Sequence, residues 1–379
     1  MNPSKTIDWI ALNLLPGLGP ISLGRALERY GDPAEIAFDV PVEELCRLRP
    51  LNDAGREELR EARRTLRRRA ERELKLADKR GIRVVPRADP DYPAALVELP
   101  DAPILLYQRG ELTRGVLRLA VIGSRTPTQY GKRMAAGLAG GLAARGVEVV
   151  SGGARGIDCL AHKAALEEGG RTVAVLGSGL MRPYPEENAG LFDRIAGGGA
   201  VLSEFALEEA PKSENFPRRN RLISGLAAAV VVVEAARRSG SLSTASHALD
   251  QGRDVMALPG PVDSHKSVGC NRLIQQGAKL VQNIGDILDE LPPLFVSAVG
   301  EDPVRAAAAA PPELEGLTED ERDVIGIVTS TEPVQLDRLA DSVPFGIARL
   351  QTALFGLEIR GAVEQCPGRY YVLRPKKES

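Results

Sequence analysis

The sequence has few cysteines and histidines, and neither residue is spaced as metal ligands usually are. Its four cysteines, at positions 46, 159, 270 and 366, form no CxxC pair, which argues against a disulfide framework and a cysteine zinc site. The three histidines lie on different predicted elements, and we expect His162 to be a surface or half-buried residue rather than a catalytic base. The pattern predicts reduced, partly buried cysteines and no bound metal or other cofactor.

Long hydrophobic runs and a large net charge are also absent. No apolar run approaches the ~20 residues of a membrane-spanning helix, and the first residues lack the charged start and cleavage site of a secretory signal. These absences predict a cytoplasmic protein. The net charge of −2 excludes a chain that is basic throughout, although a nucleic-acid site needs only a basic groove.

The hydrophobic pattern divides the chain into three folded segments and a linker. Residues 1–77 are predicted to be helical, and residues 78–291 alternate short apolar strands with helices, which is typical of an α/β, Rossmann-like parallel sheet. Residues 292–315 are rich in alanine and proline without apolar periodicity, as linkers are. Residues 316–379 predict three short helices and a terminal hairpin, the outline of a winged helix.

Two features of the helical segment are compatible with DNA contact. Five leucines and one isoleucine flank a tight turn with Gly17 and Gly19, as in a helix-hairpin-helix, whose turn brings backbone N–H groups close to a phosphate. Residues 56–75 hold nine basic and five acidic side chains at helical spacing. The alternatives are a helical packing module and, favoured for residues 56–75, a solvated helix with local ion pairs.

Arginines and glycines follow the predicted strands of the second segment. The stretches "GSRTPTQYG" and "SGGARGID" each follow a strand, "ENFPRRNRLISG" precedes the strand "AAAVVVVEAA" as a further loop, and "RRSGSLSTASHAL" comes after that strand. We expect these loops to converge at one edge of the sheet. They supply one aromatic residue, Phe216, and five arginines: Arg125, Arg155, Arg218, Arg219 and Arg221. Arginine forks suit phosphodiesters and an exposed aromatic ring suits an unstacked base.

Arg155 lies between two glycine clusters where a strand turns into a helix. Backbone N–H groups at a helix N-terminus favour anions, and an arginine without a partner would sit badly beside them. We therefore expect Arg155 to hold a phosphate over the turn of Gly152 and Gly153. Known phosphate motifs do not apply, because Gly131-Lys132 is not part of a Walker A loop and "GSGLMR" has Arg182 where a dinucleotide fingerprint needs its third glycine.

Seven stretches between about residues 80 and 290 resemble, in colinear order, the DNA-processing protein A family, also called Smf. They are "VIGSRTPTQYG", "SGGARGIDCLAHKAAL", "TVAVLGSGLMRPYPEENAGL", "FPRRNRLISGL", "VVEAARRSGSLSTASHAL", "VMALPGPV" and "GCNRLIQQGA". The resemblance implies a sterile-alpha-motif-like N-terminal domain, an extended Rossmann domain and, in some members, a winged helix. It also implies a homodimer without enzymatic activity that binds single-stranded DNA, protects incoming DNA in natural transformation and loads the RecA recombinase.

By the same resemblance, the family's DNA pocket falls on eleven positions of this sequence. They are Gly123, Ser124, Arg125, Ser151, Gly152, Gly153, Arg155, Phe216, Arg219, Asn220 and Arg221. For the implied dimer we expect an interface around Ile274, Leu280 and Ile284. The predicted recognition helix "GIARLQTAL" offers only Arg349 and the nearby Arg360, which favours an interaction or regulatory role over insertion into a DNA groove.

Two other functions stay open at the level of sequence. The Rossmann segment also resembles nucleotide phosphoribohydrolases of the lysine-decarboxylase-like group, but aligning Thr244 with the threonine of their PGGxGTxxE loop puts His247 where they have the glutamate. Glu204 and Glu234, at strand ends, are expected to orient arginines of the pocket rather than to replace that carboxylate. The third possibility is a double-stranded DNA regulator that acts through the winged helix.

Overall fold

The computed structural model describes residues 3–291, 317–328, 334–360, 362–366 and 370–373. The described residues of 1–301 form one compact unit and those of 302–379 a second. The predicted linker, 292–315, lies outside the described residues. The boundary predicted at residue 77 stays a prediction, and a single helix, Asp53–Lys79, runs across it.

The chain begins with helices, as predicted. Their bounds are α1 Pro3–Asn13, α2 Pro20–Tyr30, α3 Val42–Leu48 and α4 Asp53–Lys79, with a π-helical turn at Glu35–Asp39. Asn52 caps α4, because its side chain accepts a hydrogen bond from the Gly55 N–H at 2.9 Å. The apolar face of these helices shares one core with the first two strands of the sheet, which fixes the helices against its edge.

The helices are followed by a nine-stranded sheet in the order β1-β2-β6-β5-β4-β3-β7-β8-β9. The strands are β1 Ile82–Pro86, β2 Leu105–Gly110, β3 Arg118–Ile122, β4 Glu148–Ser151, β5 Thr172–Val175, β6 Ala200–Ser203, β7 Ala229–Val232, β8 Asp254–Ala257 and β9 Lys279–Leu280. The pairs β1–β2 and β2–β6 are antiparallel, and the other pairs are parallel. Strand order reverses between β3 and β7, and the crevice at such a switch point is where Rossmann-like sheets bind ligands.

Helices connect these strands and cover both faces of the sheet. They are α5 Ala94–Val97, α6 Gln129–Ala143, α7 Ile157–Glu167, α8 Ala189–Gly198, α9 Asn215–Leu226, α10 Ser241–Asp250, α11 Val268–Gln275 and α12 Ile284–Asp289. The central strands β4 to β7 are buried at every position, which explains why their sequences are mainly apolar. The predicted α/β class with a parallel-dominated sheet is confirmed.

One segment predicted as a loop is a helix. Residues 214–225 carry a proline and three basic residues, but Leu222, Ile223 and Leu226 pack into the sheet core and hold the segment helical as α9. Pro217 lies in the first turn of this helix, where its missing N–H costs no helical hydrogen bond. The arginines of this segment therefore have fixed directions around a helix.

The second unit has the predicted winged-helix outline. It comprises α13 Glu319–Ile327, β10 Val334–Gln335, α14 Leu336–Ser342, α15 Ile347–Ile359, β11 Val363–Cys366 and β12 Tyr370–Leu373, with strand order β10-β12-β11. Thr318 and Glu321 form a capping box at the start of α13. Arg349 of the predicted recognition helix and the nearby Arg360 both have acidic partners: Arg349 pairs with Asp320 at 2.5 Å, and Arg360 lies 3.7 Å from Glu321.

Candidate nucleic-acid interface

The loops after β3 and β7 and the N-terminal turns of α9 and α10 meet at the switch point of the sheet. They line an open cleft of about 560 Å³, which also receives Ala154 from the loop after β4. The convergence expected from the sequence is therefore present. We call this space the switch-point cleft; six of the eleven predicted site residues line it, namely Gly123, Ser124, Arg125, Phe216, Arg219 and Asn220.

The loop after β3 approaches its neighbours too closely for side chains. A Cβ atom on Gly123 would lie 2.8 Å from the Cγ1 of Ile157, so glycine is needed there. The Ser124 N–H donates to the Glu234 carbonyl at 2.7 Å, and the Ser124 carbonyl accepts from the Ile157 N–H at 3.1 Å. These contacts fix the loop while Arg125 projects from it, exposed to solvent.

The turn after β4 already holds a carboxylate. Asp158, buried in the first turn of α7, accepts hydrogen bonds from the N–H groups of Gly152 at 3.2 Å and Ala154 at 3.4 Å. Burial raises the pKa of Asp158, while the positive charge of Arg219 opposes that rise. The prediction that this turn is open to a phosphate is therefore corrected, because the chain's own anion occupies two of its N–H groups. Ser151 and Gly153 are buried and lie outside the cleft lining.

Arg155 is exposed, but it has protein partners. Its guanidinium forms a two-pronged pair with the Glu187 carboxylate, with Nη2 at 2.7 Å from Oε2, and Nη1 lies 3.5 Å from the Tyr184 hydroxyl. These hydrogen bonds raise the pKa of Arg155 further above its ordinary value. The expectation of an arginine without a partner is wrong. A phosphate that binds Arg155 must displace an exposed carboxylate.

Of the two buried arginines of α9, Arg219 lies at the glycine turn after β4. Arg219 donates to the carbonyls of Gly152, at 2.6 Å, and Val175, and burial lowers its pKa to about 10, so it stays charged at neutral pH. A Cβ atom on Gly152 would lie 2.8 Å from the Nη2 of Arg219, so the guanidinium of Arg219 lies directly against the glycine turn. Asn220 accepts from the Arg219 Nε at 3.3 Å and donates to the Gly240 carbonyl at 3.4 Å.

Arg221 does not line the switch-point cleft, although it was among the predicted pocket residues. It is buried and pairs with Asp101, Nε to Oδ2 at 2.8 Å, and with Glu204, Nη2 to Oε2 at 2.7 Å. Glu204 therefore orients an arginine, as expected. Glu234 does not: it accepts from the backbone N–H of Thr128 at 3.1 Å and from its hydroxyl, and so holds the start of α6.

Two aromatic rings stand at the mouth of the site. Phe216 is half-buried and its ring centroid lies 5.5 Å from that of Tyr184 at an interplanar angle of 54°. The guanidinium of Arg125 lies 5.5 Å from the Phe216 centroid, and that of Arg155 lies 5.8 Å from the Tyr184 centroid. A pair of rings flanked by two exposed cations is a surface suited to unstacked bases and their phosphates.

Sequence reasoning missed Tyr184, Glu187 and Asp158. Tyr184 and Glu187 belong to "TVAVLGSGLMRPYPEENAGL", one of the family-like stretches, but neither is a glycine or an arginine, the residue types that marked the other candidates. Asp158 belongs to the stretch "SGGARGID" and lies in the first turn of a helix, where an acidic residue is favoured by the free backbone N–H groups of the helix N-terminus. Lys266, which also lines the cleft, donates to the Thr126 carbonyl at 2.8 Å.

His162 is fully buried, contrary to the expectation of a surface or half-buried position. Its Nδ1 lies 2.7 Å from the Thr172 hydroxyl, and burial lowers its pKa to about 3, so the ring is neutral. Cys46, Cys159 and Cys270 are free and buried. Among the described residues no helix is long and apolar enough to cross a membrane, and no cluster of three or more potential metal ligands is present.

Comparison with known proteins adds to this geometry. Residues 83–292 match the DNA recombination-mediator protein A family, and residues 307–369 match the DprA winged helix domain. Protein Smf from Escherichia coli K12 is 42% identical over 300 residues, which cover 77% of this chain and 77% of that protein. The chain belongs to the DNA recombination-mediator protein A family.

This recombination-mediator protein A family member is also similar to two solved structures. DNA processing protein A from Streptococcus pneumoniae is 34% identical with a TM-score of 0.66, covering 75% of this chain and 98% of that chain. DNA processing protein A from Helicobacter pylori, solved for insight into its single-stranded DNA binding mode, is 31% identical with a TM-score of 0.51, covering 58% of this chain and 97% of that one.

Proposed function

We propose that this protein binds single-stranded DNA at the switch-point cleft and the adjoining ring pair. The observation that carries the proposal is the pairing of Phe216 and Tyr184 between the exposed guanidinium groups of Arg125 and Arg155. Rings accept any base by stacking, and arginines accept phosphates without regard to sequence. The single-stranded DNA binding of the Helicobacter pylori relative supports the same function.

Within the cell, we propose a cytoplasmic role in DNA processing during natural transformation, in which the protein protects incoming DNA and loads RecA onto it. Membership of the recombination-mediator family supports this role. We also propose a homodimer whose interface includes the edge of the sheet near β9. Leu280 there is 41% exposed, which is unusual for a leucine of the sheet. Light scattering of the wild-type protein and of Leu280→Asp tests the dimer: a wild-type monomer contradicts it.

The principal alternative is a nucleotide hydrolase. The carboxylates nearest the cleft are already engaged: Glu204 with Arg221, Glu234 with Thr128, and Asp158 with the glycine turn and the charge of Arg219. A catalytic acid or base needs a carboxylate that can reach the substrate, which favours a binding protein. Incubation with nucleoside monophosphates tests this choice, because release of free base would refute it.

The binding proposal is tested by comparing single- and double-stranded oligonucleotides of one sequence on three proteins. We expect the wild type to prefer the single strand, Arg125→Glu to lose most of that binding, and Arg349→Glu to behave as the wild type. Arg349 is the matched control, since it is an exposed arginine that also lies over a ring, that of Phe345, at 5.1 Å. The reverse result, loss only with Arg349→Glu, would favour a regulator acting through the winged helix.

A further inference from the structure

A second cleft lies on the other side of the N-terminal end of α9. It has a volume of about 630 Å³ and is open to solvent. One wall is the turn that leads into α2, from Gly19 to Ser22, and the other walls come from the end of α3 and from α9 and α10. We call it the hairpin cleft, because the glycine turn of the helix-hairpin-helix pattern lines it.

The hairpin cleft is positively charged. Arg25, Arg49 and Arg218 line it and are exposed, and none of them forms an ion pair with a described residue. The acidic lining residue is Asp101, which already pairs with Arg221 at 2.8 Å. Three exposed cations facing one space repel each other, and an anion between them relieves that repulsion.

A buried donor also points to an anionic or polar ligand. Arg221 lines the hairpin cleft, is 4% exposed, and its Nη1 has no hydrogen-bond partner among the described residues. A buried guanidinium nitrogen without an acceptor is costly, so an incoming oxygen would be favoured there. The α2 N-terminus adds to this, because its cap residue Gly19 offers no side chain to the free N–H groups of the first turn.

The hairpin cleft also offers apolar contact. The side chain of Ile21 is 48% exposed although it is large and apolar, and it lies among the lining residues beside Pro20. A base that has left its stack can pack against such a surface. Cations around an apolar surface suit single-stranded DNA, which offers both phosphates and bases, better than a small anion, which offers charge alone.

The two clefts are neighbours at the first turn of α9. Pro217 lines both of them, Phe216 lies in the switch-point cleft, and Arg218 lies in the hairpin cleft. Arg218 is held in place over the ring of Phe205, at 5.4 Å from its centroid. Phe216, Pro217 and Arg218 follow one another in the chain, so Arg218 lies on the next part of the path for a strand that stacks a base on Phe216.

We propose that single-stranded DNA continues from the switch-point cleft across Pro217 into the hairpin cleft, where Arg25, Arg49 and Arg218 bind its phosphates. The N-terminal helices are then part of the DNA site and set how many nucleotides one chain covers. This inference rests on the proposed function, since it extends the path of a strand already bound at Phe216.

The test uses full-length protein and two oligothymidylates, one of about 6 nucleotides, which one groove accommodates, and one of about 20, which exceeds it. The variant is Arg25→Glu with Arg49→Glu. The control is Arg80→Glu with Arg194→Glu, two exposed arginines that line neither cleft, so that the change in net charge is the same. Thermal melting of both variants checks that they remain folded.

We expect the cleft variant to bind the long oligonucleotide at least about fivefold more weakly, with the short one changed less than about twofold. Its salt dependence on the long strand should fall by about 1.4 in log–log slope, twice the slope of about 0.7 that one phosphate contributes. Equal weakening of both lengths, no weakening, or the same loss in the control overturns the extension. If the wild type fails to bind even the short strand, the proposed function itself fails.

Discussion

Replacing Phe216 by alanine separates stacking from charge at the switch-point cleft. The Phe216 ring is half-buried, lies beside Tyr184, and is so close to the backbone of Gly177 that a Cβ atom there would lie 2.8 Å from its Cδ1. Its remaining surface faces Arg125 and the cleft. Stacking of one base on an aromatic side chain is worth about 1–3 kcal/mol, so we expect Phe216→Ala to weaken binding by roughly 5- to 150-fold.

The salt dependence distinguishes this loss from the loss of a phosphate contact. Stacking releases few counterions, so the log–log slope should stay at the wild-type value while the affinity falls. Fluorescence anisotropy of a labelled oligothymidylate at several salt concentrations measures both quantities. Phe216→Tyr is the matched control, because it keeps a ring for the base and for Arg125, and it should bind within about twofold of the wild type.

Two results would refute this reasoning. Wild-type affinity in Phe216→Ala would show that no base stacks on the ring. A weaker affinity accompanied by a slope lower by about 0.7 would show that the substitution acts by displacing a phosphate-binding cation such as Arg125. The loss of the contact with Tyr184 is expected to cost about 0.5–1.5 kcal/mol of folding stability, and the lost burial of the ring adds to this, so thermal melting must show that the variant is folded.

Three further predictions concern the neighbouring elements. Glu187→Gln should strengthen single-stranded DNA binding, because it frees Arg155 for a phosphate. Arg155→Ala should weaken binding and lower the log–log slope of affinity against salt by about 0.7, because it removes a phosphate contact. If titrations with both variants match the wild type, the Arg155–Glu187 pair is purely structural. Gly156→Ala should lower the free energy of unfolding in urea by at least about 1–3 kcal/mol, because the φ of Gly156 is +81° and a Cβ atom there would lie 2.3 Å from the Ser124 carbonyl oxygen. The control, Gly169→Ala, should cost less, because Gly169 has a φ of +67° but open space around it. Equal costs would contradict the packing argument. Between pH 6.5 and about 3, His162 is protonated in the unfolded chain but neutral in the native state, where burial lowers its pKa to about 3. The free energy of unfolding therefore falls by about 1.4 kcal/mol for each pH unit of acidification. His162→Gln should flatten that dependence in denaturant titrations.

The layout of the sheet could be predicted from sequence because its signal is local. The strand β7 is apolar throughout and β4 and β5 each carry a run of apolar residues, a composition typical of strands covered on both faces. The convergence of loops then followed from the geometry of parallel strands. Residues 214–225 were misjudged because the polar side of α9 dominates its sequence, whereas its helical state depends on Leu222, Ile223 and Leu226 packing into the core.

The pairing of charges could not be predicted in the same way. Arg155 and Glu187 are 32 residues apart, and Arg221 and Glu204 are 17 apart on different elements, so neither partner could be read from spacing along a helix or strand. Counting arginines near strand ends therefore treated all five as available. In the structure, Arg155 and Arg221 pair with carboxylates and Arg219 is buried beneath the glycine turn. Arg125 and Arg218 face open clefts.

The carboxylate of Asp158 within the glycine turn has a consequence for selectivity. Cells contain many small phosphorylated molecules, and an empty turn at a helix N-terminus would bind them readily. In this protein two N–H groups of that turn are already taken, and the nearest arginine behind it is buried. The accessible positive charge lies instead on separate, exposed side chains, each a weak site for one phosphate. A free nucleotide engages one such site at a time, whereas a polymer engages several at once and gains from their proximity. In the proposed function, this arrangement favours a long strand over a free nucleotide without reading any base.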